Sequence, residues 1–244
     1  MTLVCKFTIV LLTVSVYASV AAQWEWIRET ICNNSSSNPP TCCDVGTTDE
    51  DITIYNGIWG DWKSWALLVG EDDMYACGAQ LRFENSQGWW GDDTAANGGL
   101  KLKFCDLHNW HDQDDELVWG GNWGGWKGWA MCSDGKYMAG ARVRFEGSQG
   151  WGDDTALNGL EILCVEPDDC WSNSEIKTVY SGLWGDWKPW NSVDSKLVKG
   201  AQVRYEDPQG GGDDTALNGI RFNVDYPPPI QLLTQQSWLW RCYY

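Results

Sequence analysis

Apolar and polar residues alternate with a period of two along short stretches of this chain, the pattern of half-buried β-strands. Gly78-Ala79-Gln80-Leu81-Arg82-Phe83-Glu84 sets Leu81 and Phe83 on one face, Arg82 and Glu84 on the other. The block returns as Gly140-Ala141-Arg142-Val143-Arg144-Phe145-Glu146 and as Gly200-Ala201-Gln202-Val203-Arg204-Tyr205-Glu206. Each copy is preceded by Gly-x-Trp-Gly-x-Trp-Lys, beginning at Gly57, Gly121 and Gly182, and followed by Asp-Asp-Thr-Ala-x-Asn-Gly, ending at Gly98, Gly159 and Gly219. Three matching blocks in one order make an internal repeat of about 60 residues. Asn158-Gly159 stands between Thr155-Ala156-Leu157 and Leu160-Glu161-Ile162-Leu163, which predicts a hairpin with a type I′ turn, where Asn and Gly tolerate positive φ. No window sustains a helical stripe. About 60 residues hold roughly four strands of typical length. Each repeat is therefore expected to form a sheet, and three sheets around a threefold axis would bury their inner faces against one another.

The flanks set the compartment. Lys6 is followed by an apolar run from Phe7 to Val16, and Val20 and Ala22 supply small residues for a cut before Gln23. Residues 1–22 read as a secretory signal peptide, because the run falls short of the ~20 residues of a bilayer span. A cysteine-containing segment 23–50 leads into a repeat domain at 51–225, with repeats at about 53–105, 117–164 and 177–224. Asp106 to Glu116 reads as a polar linker, and Tyr226-Pro227-Pro228-Pro229 as a stiff lead into a tail at 226–244. A secreted chain with no membrane insertion is the expectation.

Cysteine usage points the same way. Without Cys5, which leaves with the leader, Cys32, Cys42, Cys43, Cys77, Cys105, Cys132, Cys164, Cys170 and Cys242 read as a disulfide framework. Their odd number leaves one thiol over, and their connectivity stays open. Cys77 and Cys132 stand at different points of their repeats, so their bridges need not be equivalent. Only the adjacent Cys42-Cys43 approach a zinc-ligand pattern, and neither a metal nor a cofactor is expected. The net charge of −17 argues against nucleic acid and anionic membranes, which call for basic patches. Basic proteins and neutral glycans both remain suitable partners.

The Gly-x-Trp-Gly-x-Trp segment, the Gly-Ala-x-x-Arg-Phe-Glu strand and the Asp-Asp-Thr-Ala-Leu-Asn-Gly block resemble those of the vitelline membrane outer layer protein I family, across about residues 53 to 224. The resemblance implies an all-β fold, a β-prism of three Greek-key sheets with internal pseudo-threefold symmetry, similar in shape to jacalin-type lectins. It also implies an extracellular life, typified by the outer layer of the egg's vitelline coat. This chain departs from the pattern at Thr94-Ala95-Ala96, at the added Trp89-Trp90, and at Val224, which stands where Cys105 and Cys164 close the other repeats.

Candidate chemistry lies first in the 19 tryptophans. Trp59, Trp62 and Trp65 recur as Trp123, Trp126 and Trp129 and as Trp184, Trp187 and Trp190. On a strand this spacing alternates faces, so some rings are expected to pack inward and others to face out. Trp59, Trp62, Trp123, Trp126, Trp184 and Trp187, with Asp92, Asp153 and Asp213, form the candidate glycan-binding set. Trp-x-x-Trp in a secreted chain is also the acceptor pattern for C-mannosylation. The pairs Asp92-Asp93, Asp153-Asp154 and Asp213-Asp214 fit no calcium loop, because Ala156 and Val165 fall where ligands are required. Capping turn amides and pairing with Arg82, Arg144 and Arg204 explains their triplication better than catalysis does. Glu84, Glu146 and Glu206 are the carboxylates a glycosidase or transglycosylase would use. His108 and His111 read as part of a solvated loop, and Asn33 and Asn34 as overlapping N-glycosylation acceptors. The expected function is a non-enzymatic coat or matrix component, with glycans or matrix proteins as partners. A lectin-like glycan binder is the first alternative and a glycan-processing enzyme the second.

Overall fold

The computed structural model describes residues 50–68, 73–84, 98–122, 124–147, 157–167, 173–193, 195–207 and 216–227, and every regular element in them is a β-strand. The signal peptide, Cys32, Cys42, Cys43, Cys170 and Cys242, Asn33 and Asn34, Trp89, Trp90 and Trp123, the three aspartate pairs and the tail beyond Pro227 lie outside the described residues. Repeat one supplies β1 (Glu50–Asn56), β2 (Asp61–Trp62), β3 (Ala66–Leu67), β4 (Met74–Phe83) and β5 (Gly99–Asp106). Repeat two supplies β6 (Gln113–Trp119), β7 (Gly125–Trp126), β8 (Ala130–Met131), β9 (Tyr137–Phe145) and β10 (Leu157–Val165). Repeat three supplies β11 (Glu175–Ser181), β12 (Asp186–Trp187), β13 (Asn191–Ser192), β14 (Leu197–Tyr205) and β15 (Leu217–Asp225).

The sheets do not coincide with the repeats. Three five-stranded antiparallel sheets run β6-β5-β4-β7, β11-β10-β9-β12 and β1-β15-β14-β2, with β8, β13 and β3 as the respective fifth strands on β4, β9 and β14. Each sheet thus takes its long central hairpin from one repeat and its three outer strands from the next. The third sheet closes the ring: β1 pairs with β15 from Glu50↔Val224 to Asn56↔Gly219, and β2 and β3 pair with β14. The expectation of one sheet per repeat is corrected here. A sequence period identifies equivalent segments, whereas pairing is decided by which exposed edge the next segment reaches.

Apolar alternation places the core between the sheets, and the result is a β-prism. Ala79, Ala141 and Ala201 occupy one layer, Leu81, Val143 and Val203 the next, and Leu100, Leu160 and Ile220 face them from the paired strands, all at 0% exposure. Small alanines let the three central strands approach one another, and the branched residues fill the widening space beyond them. The predicted linker is shorter than expected, because β6 begins at Gln113 and takes in Asp114, Asp115 and Glu116. As an edge strand it needs no apolar face there, and its exposed charges discourage edge-to-edge pairing.

Cys77 joins Cys105 across β4 and β5, within one sheet, whereas Cys132, which follows β8, joins Cys164 on β10 of the next sheet. The two bridges are not equivalent: one staples neighbouring strands and the other ties two sheets together.

Candidate functional site

The recurrent motifs meet at one rim of the prism as an interlocking unit repeated three times. Arg144 on β9 donates from Nε to the Gly185 carbonyl at 2.8 Å and from its terminal nitrogens to the Gly182 and Leu183 carbonyls at 2.6 and 3.1 Å. Arg204 on β14 does the same to Gly60, Gly57 and Ile58 at 2.8, 2.6 and 3.0 Å. Arg82 on β4 binds Gly124, Gly120 and Gly121 at 3.0, 3.0 and 3.1 Å. A planar guanidinium fits this task, since its fixed fork of donors can gather several carbonyls of one tight turn. These arginines are the expected partners of the aspartate pairs. Where the structure describes them, they hold the Gly-x-Trp-Gly turn of the following repeat.

Two glycines make the turn fit. Gly185 adopts φ 74°, and a Cβ there would lie 2.4 Å from the Phe145 carbonyl carbon. Gly159 lies beneath the indole of Trp187, whose Cη2 would be 3.1 Å from an added Cβ. The predicted Asn158-Gly159 hairpin turn is therefore corrected. Asn158 is buried within β10, at a bulge opposite Phe145 and Arg144, and its carbonyl accepts the Gly182 N–H at 2.7 Å. Asn218 receives the Gly57 N–H in the same way at 2.9 Å. In this strand glycine serves close approach rather than turning.

No described tryptophan is fully buried, but the rings divide between inside and outside: Trp119, Trp110 and Trp190 pack against the core clusters, whereas Trp184 faces out. Trp62, Trp126 and Trp187 lie across the sheet faces and carry cations. The Arg221 guanidinium stands 4.0 Å from Trp62, Lys101 Nζ 4.7 Å from Trp126, and the Arg142 guanidinium 4.9 Å from both Trp187 and Trp190. Such stacks desolvate one ring face and strengthen an otherwise exposed aromatic contact. Trp59 is half-buried, and Trp184 is 48% exposed at the tip of its turn beside Leu183, which is 73% exposed.

At the corners between sheets, aromatic pairs replace aliphatic packing: Tyr55 with Phe145 at 4.5 Å, Phe83 with Tyr180 at 4.0 Å, and Trp119 with Tyr205 at 5.6 Å. Lys63 lies 5.1 Å from Trp119 and 5.6 Å from Tyr205, and its counterpart Lys127 lies 5.5 Å from both Phe83 and Tyr180. These lysines were not singled out from the sequence. Their invariable place after the second tryptophan of each motif was the signal.

At the other ends of the long strands, Tyr75 donates to the Tyr226 carbonyl at 3.1 Å and Tyr137 to the Asp106 carbonyl at 2.9 Å, each latching one sheet to the next. Burial, aided by the Asp106 charge, pushes the Tyr137 phenol up to about 12. An acid whose folded pKa is raised contributes stability that is complete below its unfolded value near 10 and lost as pH rises toward 12. A spectrophotometric alkaline titration of the folded protein is expected to show a tyrosine ionising about two units late. Tyr137→Phe should remove that late component; a titration unchanged by the substitution would contradict the assignment. Glu175 behaves oppositely. Burial opposes its charge, but bonds from the Ser133 N–H and hydroxyl and from Lys177 outweigh it and hold the carboxyl below its usual range. Its contribution is present above the ordinary carboxylate range and lost as pH falls.

Beside Tyr137 an open groove of about 360 Å³ is lined by Leu107, His108, Trp110, Asp134 and Glu166, among others. His108 faces Asp73 at 3.3 Å and His111 faces Asp134 at 3.8 Å, so both histidines sit in acidic, exposed surroundings. Among the described residues no group of three or more His, Cys, Asp or Glu is arranged to hold a metal ion. Glu84, Glu146 and Glu206 directly follow β4, β9 and β14 and are half-buried. Of the glycan-binding candidates, Trp123, Asp92, Asp153 and Asp213 lie outside the described residues, and the rest divide among the three sheets, Trp59 and Trp62 at β2, Trp126 on β7, and Trp184 and Trp187 at β12. No helix among the described residues is long and apolar enough to cross a membrane.

Comparison with known proteins places this architecture. The family model for vitelline membrane outer layer protein I matches residues 113–224. The vitelline membrane outer layer protein 1 homolog of Homo sapiens is 34% identical over 68% of this chain and 77% of its own length. That of Mus musculus is 33% identical over 70% and 80%. Among solved structures, Calsepa lectin in complex with a biantennary N-glycan superposes with a TM-score of 0.45 at 12% identity, covering 75% of this chain and 99% of that one. A mannose binding jacalin related lectin from Ananas comosus gives 0.45 and 12%, covering 75% and 100%. The identity and coverage shared with the two mammalian relatives make this chain a member of the vitelline membrane outer layer protein I family.

Proposed function

We propose that this protein is a secreted, non-enzymatic structural component of an extracellular coat or matrix, acting as a rigid, disulfide-braced unit that presents acidic and aromatic surfaces to glycans or coat proteins. The observation that carries this reading is the use of the threefold motifs. Their arginines, glycines and second tryptophans hold turns and sheets together at three separate corners rather than converging on one cleft. Kinship with proteins named for the vitelline membrane outer layer supports the setting. The bridges Cys77–Cys105 and Cys132–Cys164 suit an oxidising compartment.

The test uses the full chain expressed with its leader. It is expected in the medium with Gln23 as its first residue, to sediment with isolated coat material, and to leave chito-oligosaccharides uncleaved. Turnover of those sugars that disappears in Glu84→Gln, Glu146→Gln or Glu206→Gln would replace this reading with the enzymatic one. A lectin-like reading is favoured by one observation, the half-exposed Trp184. It assigns sugar stacking to Trp59, Trp62, Trp123, Trp126, Trp184 and Trp187, with Asp92, Asp153 and Asp213 as polar contacts. Saturable binding on a glycan array, lost in Trp184→Ala, would establish it.

A further inference from the structure

In the first and third motifs, the first tryptophan, Trp59 or Trp184, is the one that the interlock does not use. The second lies over a strand glycine, as Trp62 does over Gly219 and Trp187 over Gly159, and the Lys that follows it closes the turn against the central strand, Lys63 N–H to Val203 and Lys188 N–H to Val143. Trp59 and Trp184 instead sit at the turn tips, ahead of Gly60 and Gly185 with φ 75° and 74°. Their neighbours Ile58 and Leu183 are 69% and 73% exposed. Among the described residues no ring or cation stacks on either indole. An acidic protein that sets a well-exposed aliphatic side chain beside an indole at two corners, Trp59 half-buried and Trp184 48% exposed, leaves apolar surface that calls for a cover. Both tips carry the acceptor pattern for C-linked mannose, Trp59-Gly60-Asp61-Trp62 and Trp184-Gly185-Asp186-Trp187.

We infer that Trp59 and Trp184 are C-mannosylated at carbon 2 of the indole, with polyprenyl-phosphate-linked mannose as donor, during passage through the secretory pathway. The C2–C3 π bond of the indole attacks the anomeric carbon through carbon 2, forming a carbon–carbon bond. The bond from the anomeric carbon to the phosphate oxygen breaks, and its electron pair leaves with the polyprenyl phosphate. Loss of the proton from carbon 2 restores the aromatic ring, and nothing is oxidised or reduced. The exposed turn tips, with Ile58 and Leu183 open to solvent beside the indoles, have room for a hexose once the chain has folded. The sugar then lays hydroxyl groups over apolar surface that the core does not take up.

The inference rests on the proposed secretion, and the test separates the two. Full-length protein is collected from the medium of cultured animal cells, digested, and the peptides bearing Trp59 and Trp184 are sequenced by mass spectrometry. Each is expected to carry one hexose that stays on the tryptophan under conditions that break glycosidic bonds and fragments by cross-ring cleavage. Trp65 and Trp190, which lack a tryptophan three residues on, should carry none. In Trp62→Phe the hexose should vanish from Trp59 and persist on Trp184. That comparison can be made on chain retained in the cell, because the transfer precedes folding. Bare Trp59 and Trp184 in secreted protein, or a hexose released as an ordinary glycoside, would overturn the modification while leaving secretion standing. Chain that never reaches the medium and carries no hexose would overturn both.

Discussion

Gly185→Ala is expected to destabilise the fold by about 3 kcal/mol or more, combining ~1–2 kcal/mol for a left-handed L-residue with ~1–3 kcal/mol for overpacking. At φ 74° the new methyl group meets the Phe145 carbonyl carbon at 2.4 Å and the Glu146 nitrogen at 2.5 Å. Both are backbone atoms of a central strand and its exit, so no side-chain rotation relieves the contact. The turn must move off the strand, taking with it the carbonyls that Arg144 gathers and the indole that covers Gly159. A control lies nearby. Gly128 has ordinary φ and nothing within 4 Å of an added Cβ, so Gly128→Ala should be neutral or gain about 0.4–1 kcal/mol by restricting the unfolded chain. Denaturant unfolding followed by tryptophan fluorescence measures both. Equal midpoints for the two variants would refute the interlock.

Removing the Cys132–Cys164 bridge, as Cys132→Ala with Cys164→Ala, is expected to cost about 3–4 kcal/mol from the chain entropy of its loop. For a domain of this size that lowers Tm by roughly 10 °C. The separation of 32 residues barely exceeds the 28 of Cys77–Cys105, so loop entropy alone predicts nearly equal losses. The consequences differ because of where the bridges lie. Cys77 and Cys105 sit on strands already joined by the β4–β5 ladder, whereas Cys132 and Cys164 connect two sheets that share no backbone ladder and are otherwise joined by packing and a few bonds such as those of Tyr137 and Glu175. Thermal melts of both double variants, with hydrogen exchange on β9 and β10, should show broader loss of protection without the inter-sheet bridge. Matching exchange patterns would mean that the corner packing suffices without it.

Much of this was legible in the amino-acid order, and the parts that were not share one cause. Alternation identified the strand at Leu81 and Phe83 correctly, since both are buried there, and the triple motif implied a threefold architecture. Asn158-Gly159 carried the local chemistry of a hairpin turn, but the atoms that override it, in Trp187 and Gly182, belong to the next repeat. The role of Arg144 was hidden in the same way: its partners are main-chain carbonyls, which have no signature in the side-chain sequence. Gln113 to Glu116 looked like a linker because an edge strand with polar exposure lacks the apolar alternation that reveals buried strands. Local pattern recovered elements and equivalence, and contacts between repeats decided meaning.

The ring closure of β1–β3 onto β14–β15 has a consequence for how the protein comes into being. The first strands to leave the ribosome are completed by the last, so the third sheet cannot exist until the whole repeat array has been synthesised. Until then the nascent chain carries an open edge at each end, and each edge is complementary to the other. On one chain these edges meet and seal the prism; on two chains crowded together they would exchange and build dimers or longer strings. Joining the two ends and opening the chain between β5 and β6 would place the seam elsewhere without altering a single sheet.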